Sequence, residues 1–469
     1  MTICVLATAP GGALGIIRIS GPQSLEILSR IFTKNLVNAS PNTIHYGHIL
    51  EGGTTESDAT ESHHHNALGC DAVPPHQSIL DEVLVSVFRA PHSYTGEDSA
   101  EISCHGSRYI LNKVLQLLVA NGCRMAEPGE FTKRAYLNGK MDLSQAEAVA
   151  DLIASTNKAT HDIALSQLRG HFSSRLAQLR EQLLKLTSLL ELELDFSDHE
   201  DLEFADRSEL QELTKEIDKH ITHLAHSFET GQALKQGIPV AIVGKTNVGK
   251  STLLNRLLKD DRAIVSDIHG TTRDTIEDTI DIQGVTFRFI DTAGIRQTTD
   301  TIEQIGINRT YQAIGKARIV LWLIDEEPSN QEINDIIQRT GNKKLIIVRN
   351  KSDKGDNNSY KLLSTPSVAI SAKYGTGIDA LEQAIYEAAD IPTLTENEVI
   401  VTNARHYDAL MRAHDSIQRV IDGLQTQLSG DLLSEDLHQA LDTLAEITGG
   451  QITTDEVLGN IFQHFCVGK

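Results

Sequence analysis

One octapeptide limits the folds open to this chain more than any other feature. The apolar run Ile238-Pro239-Val240-Ala241-Ile242-Val243 passes into Gly244-Lys245-Thr246-Asn247-Val248-Gly249-Lys250-Ser251, and an amphipathic stretch from Thr252 to Leu258 follows. A G-x-x-x-x-G-K-S spacing between a strand and a helix predicts a phosphate loop in an α/β domain, and so a nucleoside triphosphate site. Its glycines let backbone N–H groups close on a phosphate at a helix N-terminus, with Val248 and Thr252 flanking the bend. Lys250 supplies the catalytic cation on the outer phosphates, and the Ser251 hydroxyl is placed to ligate Mg²⁺. A glycine-rich turn with a solvated lysine would need neither flank.

The base is specified downstream. Asn350-Lys351-Ser352-Asp353 follows the apolar strand Leu345-Ile346-Ile347-Val348, so its side chains emerge at a strand's carboxyl end, where open α/β sheets bind ligands. A carboxylate there accepts the ring N–H and exocyclic amine of guanine, a donor pair that adenine lacks, which makes Asp353 the expected guanine reader. Ser371-Ala372-Lys373, after Ser367-Val368-Ala369-Ile370, forms a second loop at the same edge, with the Ala372 N–H expected on the guanine oxygen. Between them Asp291-Thr292-Ala293-Gly294 offers an acidic group for the Mg²⁺ shell and a glycine able to approach the γ-phosphate, and Thr271-Thr272 offers a further hydroxyl, Thr272, to the metal. Order and spacing together predict a GTPase.

Ile295 stands where signalling GTPases carry a water-orienting glutamine. Glu303, in the polar segment that follows, is the candidate to position water; its bland alternative is a solvated loop carboxylate. Without an obvious arginine finger, hydrolysis is expected to need K⁺, held partly by Asn247 and by backbone carbonyls of the segment containing Ser266, Ile268 and Thr271.

Gly270-Thr271-Thr272-Arg273-Asp274 with Asp291-Thr292-Ala293-Gly294-Ile295-Arg296 resembles the bacterial tRNA modification GTPase family MnmE (TrmE). So do Gly15 to Pro22, Ser93 to Asp98 with Glu101, Glu127 to Thr132 through Leu137-Asn138-Gly139-Lys140, and the closing Phe465-Cys466-Val467-Gly468-Lys469. The resemblance implies a homodimer that works with an FAD-dependent partner of the MnmG/GidA family as a heterotetramer. It implies a potassium-activated GTPase that adds a carboxymethylaminomethyl or aminomethyl group at C5 of the wobble uridine, position 34, of certain tRNAs. The one-carbon donor would be a tetrahydrofolate derivative (5,10-methylene- or 5-formyl-), bound through Arg18, Glu101, Lys140 and Lys469, with Cys466 a candidate nucleophile or acid. Two departures are visible: the loop Thr8 to Ala13 is shorter than the family's and lacks an arginine, and the stretch Gly52 to Ser78, with His63-His64-His65, is longer and reads as a surface loop. A ribosome-assembly GTPase is the competing reading, but no basic GXXG loop or aromatic platform for RNA is present. A pure signalling switch would leave residues 1–139 unexplained.

The 469-residue chain suits several domains. The expected organisation is an α+β tetrahydrofolate-binding and dimerisation domain at 1–139, a helical domain at 140–233 and 393–469, and a Ras-like P-loop GTPase domain at 234–392 inserted into it. Ser144-Gln145-Ala146-Glu147 predicts a capping box, and Leu176, Leu179, Leu183, Leu186 and Leu190 a seam that packs within the chain. Lys and Arg number 42 against 64 Asp and Glu, a net charge of −22, so an RNA substrate would need a basic partner to hold it. Five cysteines without a C-x-x-C pair suit reduced thiols in the cytosol. No apolar run approaches membrane-spanning length, and the N-terminus lacks a secretory pattern.

Overall fold

The structure, a computed structural model, describes residues 1–51, 78–195, 207–260, 278–290, 312–354, 366–391, 399–450, 458, 461–463 and 465. The chain divides into two compact units, Met1–Ala150 with Ala445–Lys469, and Asp151–Leu444.

The first unit begins β1 (Ile3–Leu6), β2 (Leu14–Ser20), α1 (Ser24–Ser29), β3 (Thr43–Leu50), β4 (Ile79–Phe88) and β5 (Ser99–His105). It continues through α2 (Arg108–Ala120), β6 (Arg124–Met125), α3 (Glu130–Leu137) and the start of α4 (Leu143–Ala154). The strands form one sheet in the order β3-β4-β5-β2-β1-β6, antiparallel except for β1 with β6. Strict alternation in β4 sends Val83, Val85 and Val87 into the core, which Leu111, Val114 and Leu118 of α2 also join. The short β-like runs Ile16 to Ile19, Val83 to Phe88 and Ala100 to Cys104 lie inside β2, β4 and β5, and the helical pattern from Ile110 to Ala120 lies inside α2. The capping box before α4 is formed two residues earlier than expected. Asp142 Oδ1 accepts from the Gln145 N–H at 2.9 Å, and Gln145 Oε1 accepts from the Asp142 N–H at 2.9 Å. Ser144 is buried inside the first turn, its hydroxyl donating to Asp142. An ionised carboxylate is the stronger acceptor for helix N–H groups, so it takes the cap.

The second unit opens with α5 (Lys158–Leu168), α6 (His171–Asp195) and α7 (Arg207–Gln236), which Gly237 ends at φ +85°. An α/β domain follows: β7 (Ile238–Gly244), α8 (Lys250–Asp260), β8 (Asp278–Ile282), β9 (Val285–Phe289), β10 (Ile319–Ile324), α9 (Asn330–Thr340), β11 (Lys344–Arg349), β12 (Ser367–Ala369) and α10 (Ile378–Ala388). The chain then returns to helix in α11 (Ala404–Gln425) and α12 (Gly430–Thr448). The sheet order is β12-β11-β10-β7-β9-β8, parallel except for β8, and β10 is buried along its whole length, as a central strand covered on both faces must be. The five seam leucines of α6 are buried within the chain. Between α7 and α11, Asp218 accepts from His414 Nδ1 at 2.6 Å and from Gln418 Nε2 at 2.8 Å.

The two ends of the α/β domain lie together. The Val401 N–H donates to Ser227 Oγ at 3.0 Å, and Gln232 Nε2 donates to the Thr402 carbonyl at 2.9 Å. Helix α5 grips the β8–β9 hairpin: the Ala159 N–H donates to the Gly284 carbonyl, and Asn157 Nδ2 to Thr286 Oγ1. Among the described residues no helix is long and apolar enough to cross a membrane.

Candidate nucleotide site

The phosphate loop joins β7 to α8 as the spacing predicts, and its glycines are there for contact as well as conformation. Gly244 has φ +152°, and a Cβ on it would stand 2.4 Å from the Leu323 carbonyl of β10. Gly249 has φ +103°, and a Cβ there would meet Asn350 Nδ2 at 2.2 Å. Asn247 also adopts a left-handed conformation, at φ +61°. Lys250 Nζ donates to the carbonyls of Gly244 and Lys245, both at 2.7 Å, which coils the ammonium inside the loop. Burial pushes its pKa below the ordinary lysine value, the expected cost of holding a cation in a pocket shaped for an anion. Ser251 follows on the first turn of α8, and Thr252 is exposed beside it.

Asn350 links the phosphate loop to the loops expected to hold the base. It is nearly buried; Nδ2 donates to the Val248 carbonyl at 2.7 Å, while Oδ1 accepts from the Lys351 N–H at 2.8 Å and the Ala372 N–H at 3.0 Å. Ala372 was expected to offer its N–H to a guanine oxygen. That N–H is bonded to Asn350, so a guanine oxygen would have to share or displace the side-chain acceptor. Asp353 is exposed at the rim, with Oδ1 accepting from Ser371 Oγ at 2.7 Å. That hydroxyl holds the carboxyl below its usual pKa, so Asp353 is an acceptor across the physiological range. Lys373 Nζ lies 5.1 Å from the centre of the Tyr374 ring.

Three supporting residues were not anticipated. Asp325 Oδ2 accepts from Lys351 Nζ at 2.6 Å. Glu332 pairs with Lys245 at 2.7 Å while completing the capping box of Ser329 on α9. The Arg256 guanidinium, on α8, packs so closely under Gly375 that a Cβ there would stand 2.2 Å from Nη2. Single acidic or basic residues on a helix or at a strand end carry no sequence signal of such roles; the one available hint was that Asp325 follows an apolar strand.

The residues present fit a guanosine triphosphate, with a helix N-terminus and a cation for phosphates and a carboxylate for the base edge. Ser251 would hold Mg²⁺, and Asn247 stands at the loop where K⁺ is expected. Ser266, Ile268, Thr271, Thr272, Asp291, Thr292, Ala293, Gly294 and Glu303 lie outside the described residues, as do Cys466, Lys469 and His63 to His65.

In the first unit Arg18 and Glu101 are direct cross-strand partners on β2 and β5, and Arg18 Nε donates to Glu101 Oε1 at 2.7 Å. Both line a cavity with Phe88, Tyr94, Thr95 and Phe131. Lys140 is outside that lining: its ammonium donates to the Pro91 carbonyl at 3.0 Å. Cys4, Cys104 and Cys123 are buried, and burial raises the Cys104 thiol to about 11. Cys70 and Cys466 fall outside the described residues.

Comparison with known proteins agrees with this architecture. Residues 2–140 match the family described as GTP-binding protein TrmE N-terminus, and residues 143–466 match the MnmE helical domain. A protein of Phocaeicola vulgatus called tRNA modification GTPase MnmE is 55% identical, covering 100% of this chain and 99% of the relative. Proteins of the same name from Bacteroides thetaiotaomicron and Flavobacterium johnsoniae are 54% and 49% identical, each covering 100% of this chain and 99% of the relative. Among solved structures, the G domain of the T. maritima FeoB iron transporter matches 32% of this chain and 98% of its own, with 26% identity and a TM-score of 0.25. Matched along its whole length, in both the N-terminal and the helical segments that flank the phosphate-loop domain, this chain belongs to the tRNA modification GTPase MnmE family.

Proposed function

We propose that this protein is a potassium-activated GTPase that, together with an FAD-dependent enzyme of the MnmG/GidA family, modifies C5 of the wobble uridine of certain tRNAs. The single observation that carries the GTP reading is the Asn350 side chain, which ties the phosphate loop to both loops expected to hold the base. Family membership carries the tRNA reading. The added group would be carboxymethylaminomethyl or aminomethyl, with a tetrahydrofolate derivative supplying the carbon when bound in the first unit.

In this reading Asp353 orients the guanine edge, Lys250 leaves its loop carbonyls for the outer phosphates, and Ser251 and Thr272 hold Mg²⁺. Asp291 to Gly294 would lie along the γ-phosphate. Glu303 positions water, and Asn247 with the carbonyls of Ser266, Ile268 and Thr271 holds K⁺. Glu101 would face the pterin, with Arg18 and Lys469 at the cationic positions, Lys140 leaving the Pro91 carbonyl to join them, and Cys466 a candidate nucleophile or acid. A net charge of −22 supports a division of labour in which a basic partner holds the RNA, with a homodimer of this chain and its partner forming a heterotetramer in the cytoplasm.

Mass-spectrometric nucleoside analysis of tRNA from cells lacking this protein tests the reading: the C5-modified uridines should vanish and return on complementation. Unchanged nucleosides overturn it. In the purified protein, hydrolysis should be faster in potassium than in sodium chloride, and equal rates would remove the potassium component alone.

A further inference from the structure

The order of the strands dictates the path of a nucleotide. The phosphate loop follows β7, while Asn350 to Asp353 follow β11 and Ser371 to Lys373 follow β12; between β7 and β11 lies β10. A nucleotide with its phosphates at β7 and its base at β11 and β12 must therefore cross the carboxyl end of β10. Asp325 is the residue at that end, immediately after Ile324.

Two features place the Lys351 side chain on the same ground. Its backbone is left-handed, at φ +65°, with the Asn350 N–H bonded to the Ile324 carbonyl at 2.8 Å. Its ammonium is held by Asp325 at 2.6 Å, and both side chains are about two-thirds buried, at 33% and 27% exposure. With the backbone fixed past β11 and the ammonium fixed past β10, the four-carbon stem spans the gap between the strand ends. The neighbouring cation, Lys245, is bonded to Glu332, so Asp325 and Lys351 are committed to each other.

We propose that Asp325 is a positioning residue for the guanine nucleoside: it anchors Lys351 so that the lysine stem and charge form a preordered wall beside the base and ribose. The inference rests on the GTP reading above. An unanchored lysine keeps its rotamer freedom, which the nucleotide must then remove on binding, so the loss falls on affinity and not on the chemical step.

The test is a double-mutant cycle on the full-length protein with Asp325→Ala, Lys351→Ala and the double variant. Kd is measured by calorimetry for GTP and GDP, and kcat and KM for GTP; circular dichroism checks folding. Asp325→Ala should raise Kd about fivefold for both nucleotides, raise KM in step and leave kcat within about twofold, as removing a partly buried ion pair implies. On the Lys351→Ala background the same substitution should do nothing further. Asp325→Glu, which keeps the charge, should recover part of the affinity. Wild-type affinity in Asp325→Ala and Asp325→Asn, or losses that add independently of Lys351, overturn the proposal while leaving GTP binding intact. Failure of the wild-type protein to bind GTP removes the underlying reading as well.

Discussion

Asn350 donates its side-chain amide to the Val248 carbonyl at 2.7 Å, across 102 residues of chain. One bond thus connects the glycine-rich loop after β7 to the strand end proposed to carry the base subsite. Its other side-chain atom accepts from two backbone N–H groups, so one nearly buried amide serves three neighbours. Groups satisfied together in this way are costly to remove, because the Val248 carbonyl and the Ala372 N–H left behind stay buried.

Asn350→Ala should therefore lower the stability of residues 151–444 by about 2–4 kcal/mol and weaken GTP binding at least tenfold. Thermal unfolding and calorimetric titration measure the two effects. A variant with wild-type melting would show that the loops hold together without this amide. Gly249→Ala should reproduce the affinity loss, since its methyl would occupy the position of Asn350 Nδ2.

With Asp353 as the proposed guanine reader, its replacement by Asn leaves one guanine donor without an acceptor. GTP affinity should fall by about 2–3 kcal/mol, and xanthosine triphosphate, with a carbonyl in place of the exocyclic amine, should become the preferred ligand. Competition binding with both nucleotides decides; unchanged GTP affinity would mean another group reads the base.

The alkaline limb of GTP binding follows from Lys250. Its pKa lies below the ordinary 10.5 because burial disfavours the ammonium. Only the charged form attracts phosphate, so affinity should be flat near neutrality and start to fall before pH 10.5 is reached. Lys250→Met should flatten that limb. An alkaline loss that persists in the variant would belong to another group.

In the first unit, Glu101→Ala should abolish calorimetric binding of 5-formyltetrahydrofolate, and Arg18→Ala should weaken it, because the two side chains hold each other at 2.7 Å beside one cavity. GTP hydrolysis measured without folate should stay unchanged in both variants. Full folate affinity in Glu101→Ala would place the pterin elsewhere.

What the sequence disclosed and what it withheld differ by range. The phosphate loop, the strands on either side of Asn350 and the leucine seam of α6 were legible because their signals repeat within a few residues. Helix α3 was not, since Glu130–Leu137 is too short for periodicity to declare itself. The true cap of α4, Asp142, sat two residues before a more conventional serine pattern that the helix buried in its first turn. Arg18 and Glu101 were identified separately; only the β2–β5 register shows that they face each other. Asp325 and Arg256 meet partners 26 and about 120 residues away in sequence, distances over which composition and spacing carry no information.

The grip of α5 on the β8–β9 hairpin bears on how the protein unfolds. Ala159 and Ile163 of α5, Leu234 of α7 and Ile400 share one apolar core with Ile238, Phe287 and Leu321 of the sheet. Any excision that parts the sheet from α5 strips cover from those side chains, each worth roughly 1.5–3 kcal/mol when buried. Helices and sheet must then melt in one cooperative step. A fragment begun at the phosphate-loop strand would expose a greasy flank and tend to clump, whereas one begun ahead of Asn157 would carry its own lid.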